Sequence, residues 1–103
     1  DVAVDIRKNS ETFGEWVSAK LDNQNRLLLW IPIGFAHGFL SLKENTQVIY
    51  KASGKYSKKL ERSIKWNDKT LNIKWPLQII NNQEPCLSEK DNNAPLLNEA
   101  DIF

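Results

Sequence analysis

The chain has one histidine, His37, and two tyrosines, Tyr50 and Tyr56, and these are the side chains best suited to move a proton near neutral pH. His37 sits in Gly34-Phe35-Ala36-His37-Gly38-Phe39, where the two glycines let backbone approach closely. A polar ring among aromatic neighbours is costly to bury without a partner, so His37 is expected on a cavity wall. The ordinary alternative is a satisfied core or surface histidine.

Tyr50 alternates with Val48 and Thr46 in a strand-like run, and its hydroxyl is either a rim group or an acid pointing into the cavity of His37. Tyr56 follows Gly54 in a loop, where an exposed ring could stack on a base. Glu61, Arg62 and Lys90 are by type surface charges, and Asp91 is by spacing a helix cap. Lys55, Lys58, Lys59 and Arg62 form a short basic run, read as a solvated loop in preference to a phosphate grip.

Metal chemistry is not indicated. Zinc and iron sites draw several ligands from His, Cys and carboxylates, and His37 and Cys86 are single and far apart. A lone cysteine cannot form an internal disulfide and fits a reducing compartment, so a cytoplasmic location is expected. Fourteen Lys and Arg against thirteen Asp and Glu leave a net charge of +1, which gives no footprint for nucleic acid. No stretch has the apolar length of a membrane span.

The elements that must position these groups follow period two. Val2, Val4 and Ile6 alternate with Ala3, Asp5 and Arg7, the pattern of a strand with one buried face. Further strands are expected over 15–21, 26–31, 34–42, 46–51 and 71–75, the leucine-rich run 26–31 being covered on both faces. Phe35, His37 and Phe39 should share one face of their strand. Polar turns fall at Asp22-Asn23-Gln24-Asn25 and Lys43-Glu44-Asn45. Leu87 to Asp91 opens a short helical turn, with Ser88 and Asp91 at capping-box spacing. Short strands separated by turns point to an all-β sandwich or barrel of one domain over residues 1–103. The chain contains no methionine and opens on Asp-Val-Ala-Val-Asp, so it is read as the larger, C-terminal part of a longer protein.

The order of segments closely resembles the dTDP-4-dehydrorhamnose 3,5-epimerases. The resemblance is carried by Asp5-Ile6-Arg7, Thr12-Phe13-Gly14, Trp30-Ile31-Pro32, Gly34-Phe35-Ala36-His37-Gly38-Phe39, Tyr50-Lys51, Trp66-Asn67-Asp68, Ile73-Lys74-Trp75-Pro76 and Leu87-Ser88-Glu89-Lys90-Asp91. It implies a cupin-type jelly roll lacking its N-terminal segment, a homodimer, and catalysis without metal or other cofactor on a dTDP-linked keto sugar. It also implies roles: Tyr50 as proton donor, Asp91 orienting the basic histidine, His37, Lys90 and Glu61 binding substrate, and Tyr56 stacking on thymine. The family's basic histidine lies in an Arg-Gly-Leu-His-like segment, which this sequence does not contain. Two alternatives stand beside this reading. One is a relative inverting a single carbon of another dTDP-keto sugar. The other is a non-catalytic carbohydrate-binding jelly roll, which would need neither Tyr50 nor Asp91.

Overall fold

The computed structural model describes residues 1–102. Three strands form one antiparallel sheet in the order β2-β1-β3, with β1 at Val2–Asp5, β2 at Trp16–Ser18 and β3 at Phe35–Gly38. Val2 opposes Ser18 and Gly38, and Val4 opposes Trp16 and Ala36. One face therefore carries Val2, Val4, Trp16 and Ala36, and against it pack Ile6, Leu71 and Leu97. Burying each such branched side chain is worth about 1.5–3 kcal/mol, which makes this the cluster that holds the sheet in place.

The other face of β1 is also covered. Ala3 and Asp5 are 3% and 1% exposed, where the alternation had implied a face open to solvent. Asp5 is buried because the turn that follows folds over it. Arg7 forks onto its carboxylate through Nε and Nη2 at 2.9 and 2.7 Å, and Ser10 and Thr12 donate their hydroxyls. Arg7 foremost, with Ser10 and Thr12, holds the carboxyl well below the usual range against the opposing effect of burial. The same guanidinium lies 5.1 Å from the Phe35 ring centre. Gly34 makes this approach possible. Its φ is +87°, and a Cβ there would stand 2.6 Å from Arg7 Cγ.

The expected strands over 26–31, 46–51 and 71–75 do not join the sheet. A strand exists by its hydrogen-bonded neighbour, and among the described residues none lines up with these runs. The run 26–31 is not covered on both faces: Leu28 and Trp30 are 94% and 86% exposed. Residues 71–75 keep their alternation, with Leu71 buried and Asn72 and Lys74 exposed, but without a ladder. This segment is anchored through its neighbours instead. Trp16 Nε1 donates to the Leu71 carbonyl at 3.0 Å, and Trp75 Nε1 to the Trp66 carbonyl at 2.8 Å.

The turns form as expected. Asp22 Oδ1 accepts from the amides of Gln24 and Asn25, and Thr46 Oγ1 donates to the Lys43 carbonyl. Two 3-10 turns follow, at Lys58–Leu60 and Leu77–Ile80. A helical turn, α1, spans Glu89–Asn92 behind an N-cap Ser88. Among the described residues no helix is long and apolar enough to cross a membrane.

Candidate active site

Under the sheet lies a cavity of about 1040 Å³. Val2, Val4 and Ile6 line it, as do Ile73 and Trp75. Gly38 lies against Trp75, a Cβ there standing 3.4 Å from Cη2, at van der Waals contact. Tyr50, Lys90 and Asp91 supply the wall with titratable groups, and His37 borders it from the other face of β3. Four of the six sequence-predicted site residues, scattered from position 37 to 91, thus meet on one cavity.

His37 shares a face with Phe39, as the alternation predicts, the ring centres lying 6.3 Å apart. The pleat places it on the side of Ala3, opposite the Val2 and Val4 side chains. The imidazole is not left unpartnered: its Nε2 meets the Asp1 carboxylate. Burial, foremost, lowers the His37 pKa below its ordinary value.

Tyr50 lines the cavity but is not packed, being 76% exposed. Its strand-mates Thr46 and Val48 are exposed too, so the core-tyrosine alternative does not hold in this chain. Tyr56 lies outside the cavity lining, with its ring 75% exposed. The Glu61 carboxylate beside it pushes its phenol above the ordinary value, and burial and the neighbouring Tyr50 add to this. Glu61 also reaches Lys90, Oε1 to Nζ being 3.7 Å, and the two line a smaller adjoining cleft. Tyr56, Glu61 and Lys90 therefore form a polar chain running to the cavity wall.

Asp91 does two things at once. Its amide donates to Ser88 Oγ at 3.1 Å, and Ser88 Oγ donates to its carboxylate at 2.7 Å. The Ser88 cap read from the spacing is present, with the Asp91 carboxylate taking the Ser88 hydroxyl in place of its backbone amide, and that carboxylate still lines the cavity. Arg62 is occupied elsewhere. Its Nε donates to Asp101 at 2.6 Å and its Nη1 to the Lys59 and Glu61 carbonyls, which argues against a phosphate grip.

Sequence reasoning missed Asp1, Trp75 and the stretch from Ile79 to Leu87 that closes one side of the cavity. Trp75 carried a usable signal, since its alternation with Lys74 placed it facing inward. Asp1 carried none, because its link to His37 spans 36 positions. Among the described residues no three His, Cys, Asp or Glu side chains cluster as metal ligands would.

A family model described as dTDP-4-dehydrorhamnose 3,5-epimerase matches residues 1–99. The chain is 50% identical over its whole length to the dTDP-4-dehydrorhamnose 3,5-epimerase of Shigella flexneri, of which it covers 54%. It is 53% identical over 97% of its length to the Salmonella typhimurium protein of the same name, of which it covers 52%. The chain thus spans about half the length of the curated relatives it matches. Among solved structures, it resembles the dTDP-6-deoxy-D-glucose-3,5-epimerase of Legionella pneumophila in complex with dTDP-4-keto-L-rhamnose. That likeness has a TM-score of 0.78 and 40% identity, over 97% of this chain and 51% of the other. The dTDP-4-dehydrorhamnose 3,5-epimerase of Elizabethkingia anophelis gives a TM-score of 0.75 at 38% identity, over 95% of this chain and 52% of the other. With the match running from the first residue to the ninety-ninth, the chain belongs to the dTDP-4-dehydrorhamnose 3,5-epimerase family.

Proposed function

We propose that this chain is the larger, C-terminal part of an enzyme that epimerises C3 and C5 of dTDP-4-dehydro-6-deoxy-D-glucose, giving dTDP-4-dehydro-L-rhamnose. The observation that carries this is the convergence of His37, Tyr50, Lys90 and Asp91 on one cavity, in a chain of this family. The C4 ketone of such a sugar makes the protons at C3 and C5 acidic, because the carbanion spreads onto oxygen as an enolate. Inversion then needs a base on one face, an acid on the other, and donors near the oxygen.

In this reading Tyr50 returns the proton from the face opposite the base. Its exposed phenol, open to the cavity, suits an acid that must reach substrate. The base is a histidine from a segment outside this sequence, and Asp91, held by Ser88, orients it. His37 and Lys90 hold the sugar and its diphosphate side, Glu61 fixes Lys90, and the Tyr56 ring stacks on thymine. The exposed runs around Leu28, Trp30 and Ile49 are then strands of a cupin-type jelly roll whose partners come from the rest of a homodimeric, cytoplasmic protein of the relatives' length. Neither metal nor organic cofactor takes part, since the ketone itself supplies the electron sink.

The test is solvent deuterium uptake into dTDP-4-dehydro-6-deoxyglucose by a protein of the relatives' length carrying these residues. Deuterium at both C3 and C5 with inverted product is expected. Uptake at one carbon alone would replace this reading with a single-carbon epimerase. No uptake, with the nucleotide sugar still bound, would leave a binding module.

A further inference from the structure

The loop that carries Tyr56 and Glu61 has little packing to hold it. None of the residues in its 3-10 turn, Lys58–Leu60, is buried, and Ser57 before the turn makes no side-chain cap. Two backbone bonds close it, from the Leu60 amide to the Ser57 carbonyl at 3.0 Å and from the Glu61 amide to the Lys58 carbonyl at 3.4 Å. The carbonyls that come next are taken by a side chain. Arg62 Nη1 donates to the Lys59 carbonyl at 3.0 Å and to the Glu61 carbonyl at 2.9 Å.

The same guanidinium is held from its other side. Its Nε donates to the Asp101 carboxylate at 2.6 Å, 39 residues further on. Asp101 stands in a stretch that is itself fixed. Leu97 is part of the core cluster and Ile102 packs against it, while the Lys65 amide donates to the Pro95 carbonyl at 2.8 Å. Arg62 therefore joins a loop without packing to a stretch that has it, where the cavity and its adjoining cleft meet. With side chains 48% and 74% exposed, the pair adds little to the stability of the whole chain. What a planar fork bonded on two sides does fix is direction.

We infer that Arg62 is a positioning residue, set by Asp101, which holds the loop so that Tyr56 and Glu61 meet the nucleotide end of the substrate. This rests on the binding roles given above to Tyr56, Glu61 and Lys90. The coupling is short: one of the carbonyls held belongs to Glu61, whose carboxylate faces Lys90 Nζ at 3.7 Å. Losing the link weakens nucleotide binding and spares the proton transfers, because neither Tyr50 nor Asp91 is bonded to it.

The test uses a protein of the relatives' length labelled with 3-fluorotyrosine, with Tyr56→Phe identifying the Tyr56 fluorine line. Affinity for dTDP alone is measured by calorimetry, and kcat on the keto sugar beside it. Asp101→Asn should weaken dTDP binding by about two- to fivefold, the scale of an exposed charge pair. It should also move the Tyr56 line and leave kcat unchanged. Arg62→Leu frees the two carbonyls as well, and should weaken binding further. Asp101→Glu keeps the charge and should restore both the line and the affinity. An unmoved Tyr56 line in Asp101→Asn overturns the link, whether or not Arg62→Leu folds. A moved line with unchanged dTDP affinity, or a fall in kcat alone, overturns the positioning role. A parent that does not bind dTDP sinks the function above, and the fluorine line then still decides whether Asp101 and Arg62 hold the loop.

Discussion

The Asp68 carboxylate accepts a hydrogen bond from the Leu97 amide, 29 residues later in the chain, at 2.9 Å. Its other oxygen takes the amides of Thr70 and Leu71 at 2.8 and 2.9 Å. Burial pushes this carboxyl up, and the Leu97, Leu71 and Thr70 donors more than reverse it, so it is held below its ordinary value. One side chain thus ties the last stretch of chain to the segment beneath the sheet. Asp68→Ala would orphan the buried amides of Leu71 and Leu97, each costing roughly 1–3 kcal/mol. A lowered urea midpoint with an unchanged m-value is expected, and Asp68→Asn should fall between the two. An unaltered midpoint would show that Leu97 is held by packing alone.

Acid should weaken the fold in two stages. His37 has its pKa lowered in the folded chain, so its contribution is complete above about 6.5 and shrinks as pH falls below that value, where the unfolded ring takes a proton first. Asp5 and Asp68 are also lowered, so their contribution is present above about 3.8 and is lost as pH falls further. A melting temperature followed against pH should show a plateau above neutrality, a shallow decline, and a steeper one below pH 4. Asp5→Asn should flatten the steep limb. Stability that rises on acidification through pH 6 would contradict the sign derived for His37.

Tyr50→Phe removes one hydroxyl from a residue that is already mostly exposed, so the fold should not notice. If Tyr50 is the acid, turnover should fall by about 10²–10⁴-fold. Abstraction by the base does not need this hydroxyl, so deuterium exchange at C3 or C5 should outlast inversion. Both are followed in one sample. Parental rates of inversion would make another group the acid.

Glu61→Gln tests the polar chain that links Tyr56 to Lys90. The amide keeps the shape but removes the charge facing the Lys90 ammonium at 3.7 Å. Because Lys90 is half exposed, the pair adds little to stability, on the order of 0–1 kcal/mol. A raised KM for the nucleotide sugar with kcat nearly unchanged is the expected result. A collapse of kcat at constant KM would move Glu61 from binding to chemistry.

What the sequence made legible was whatever the chain completes within itself. Val2, Val4 and Ile6 announce their buried face because Leu71 and Leu97 cover it. Ser88 and Asp91 announce their cap because three residues suffice to close it. The leucines after Arg26 mislead for the converse reason: their apolar pattern is real, but Leu27 and Leu28 stay mostly exposed. Asp5 was hidden by the same alternation that revealed Val4, since a carboxylate on the second face of a strand reads as solvated until Arg7, Ser10 and Thr12 are seen to fold over it. The pairing of Asp1 with His37 depends on the register of β1 against β3, which no local spacing encodes.

Among the described residues the strand order places β1 in the middle and leaves β2 and β3 each with one unpaired side. A bare strand edge is a template: its amides and carbonyls accept any extended segment that arrives, native or not. Elsewhere the surface exposes Trp30, Ile33 and Ile49, apolar groups that water covers poorly. For this chain, solubility is therefore a race between correct docking and adhesion to copies of itself. The concentration at which it is made, and what is present when it folds, will govern the yield as strongly as any single side chain.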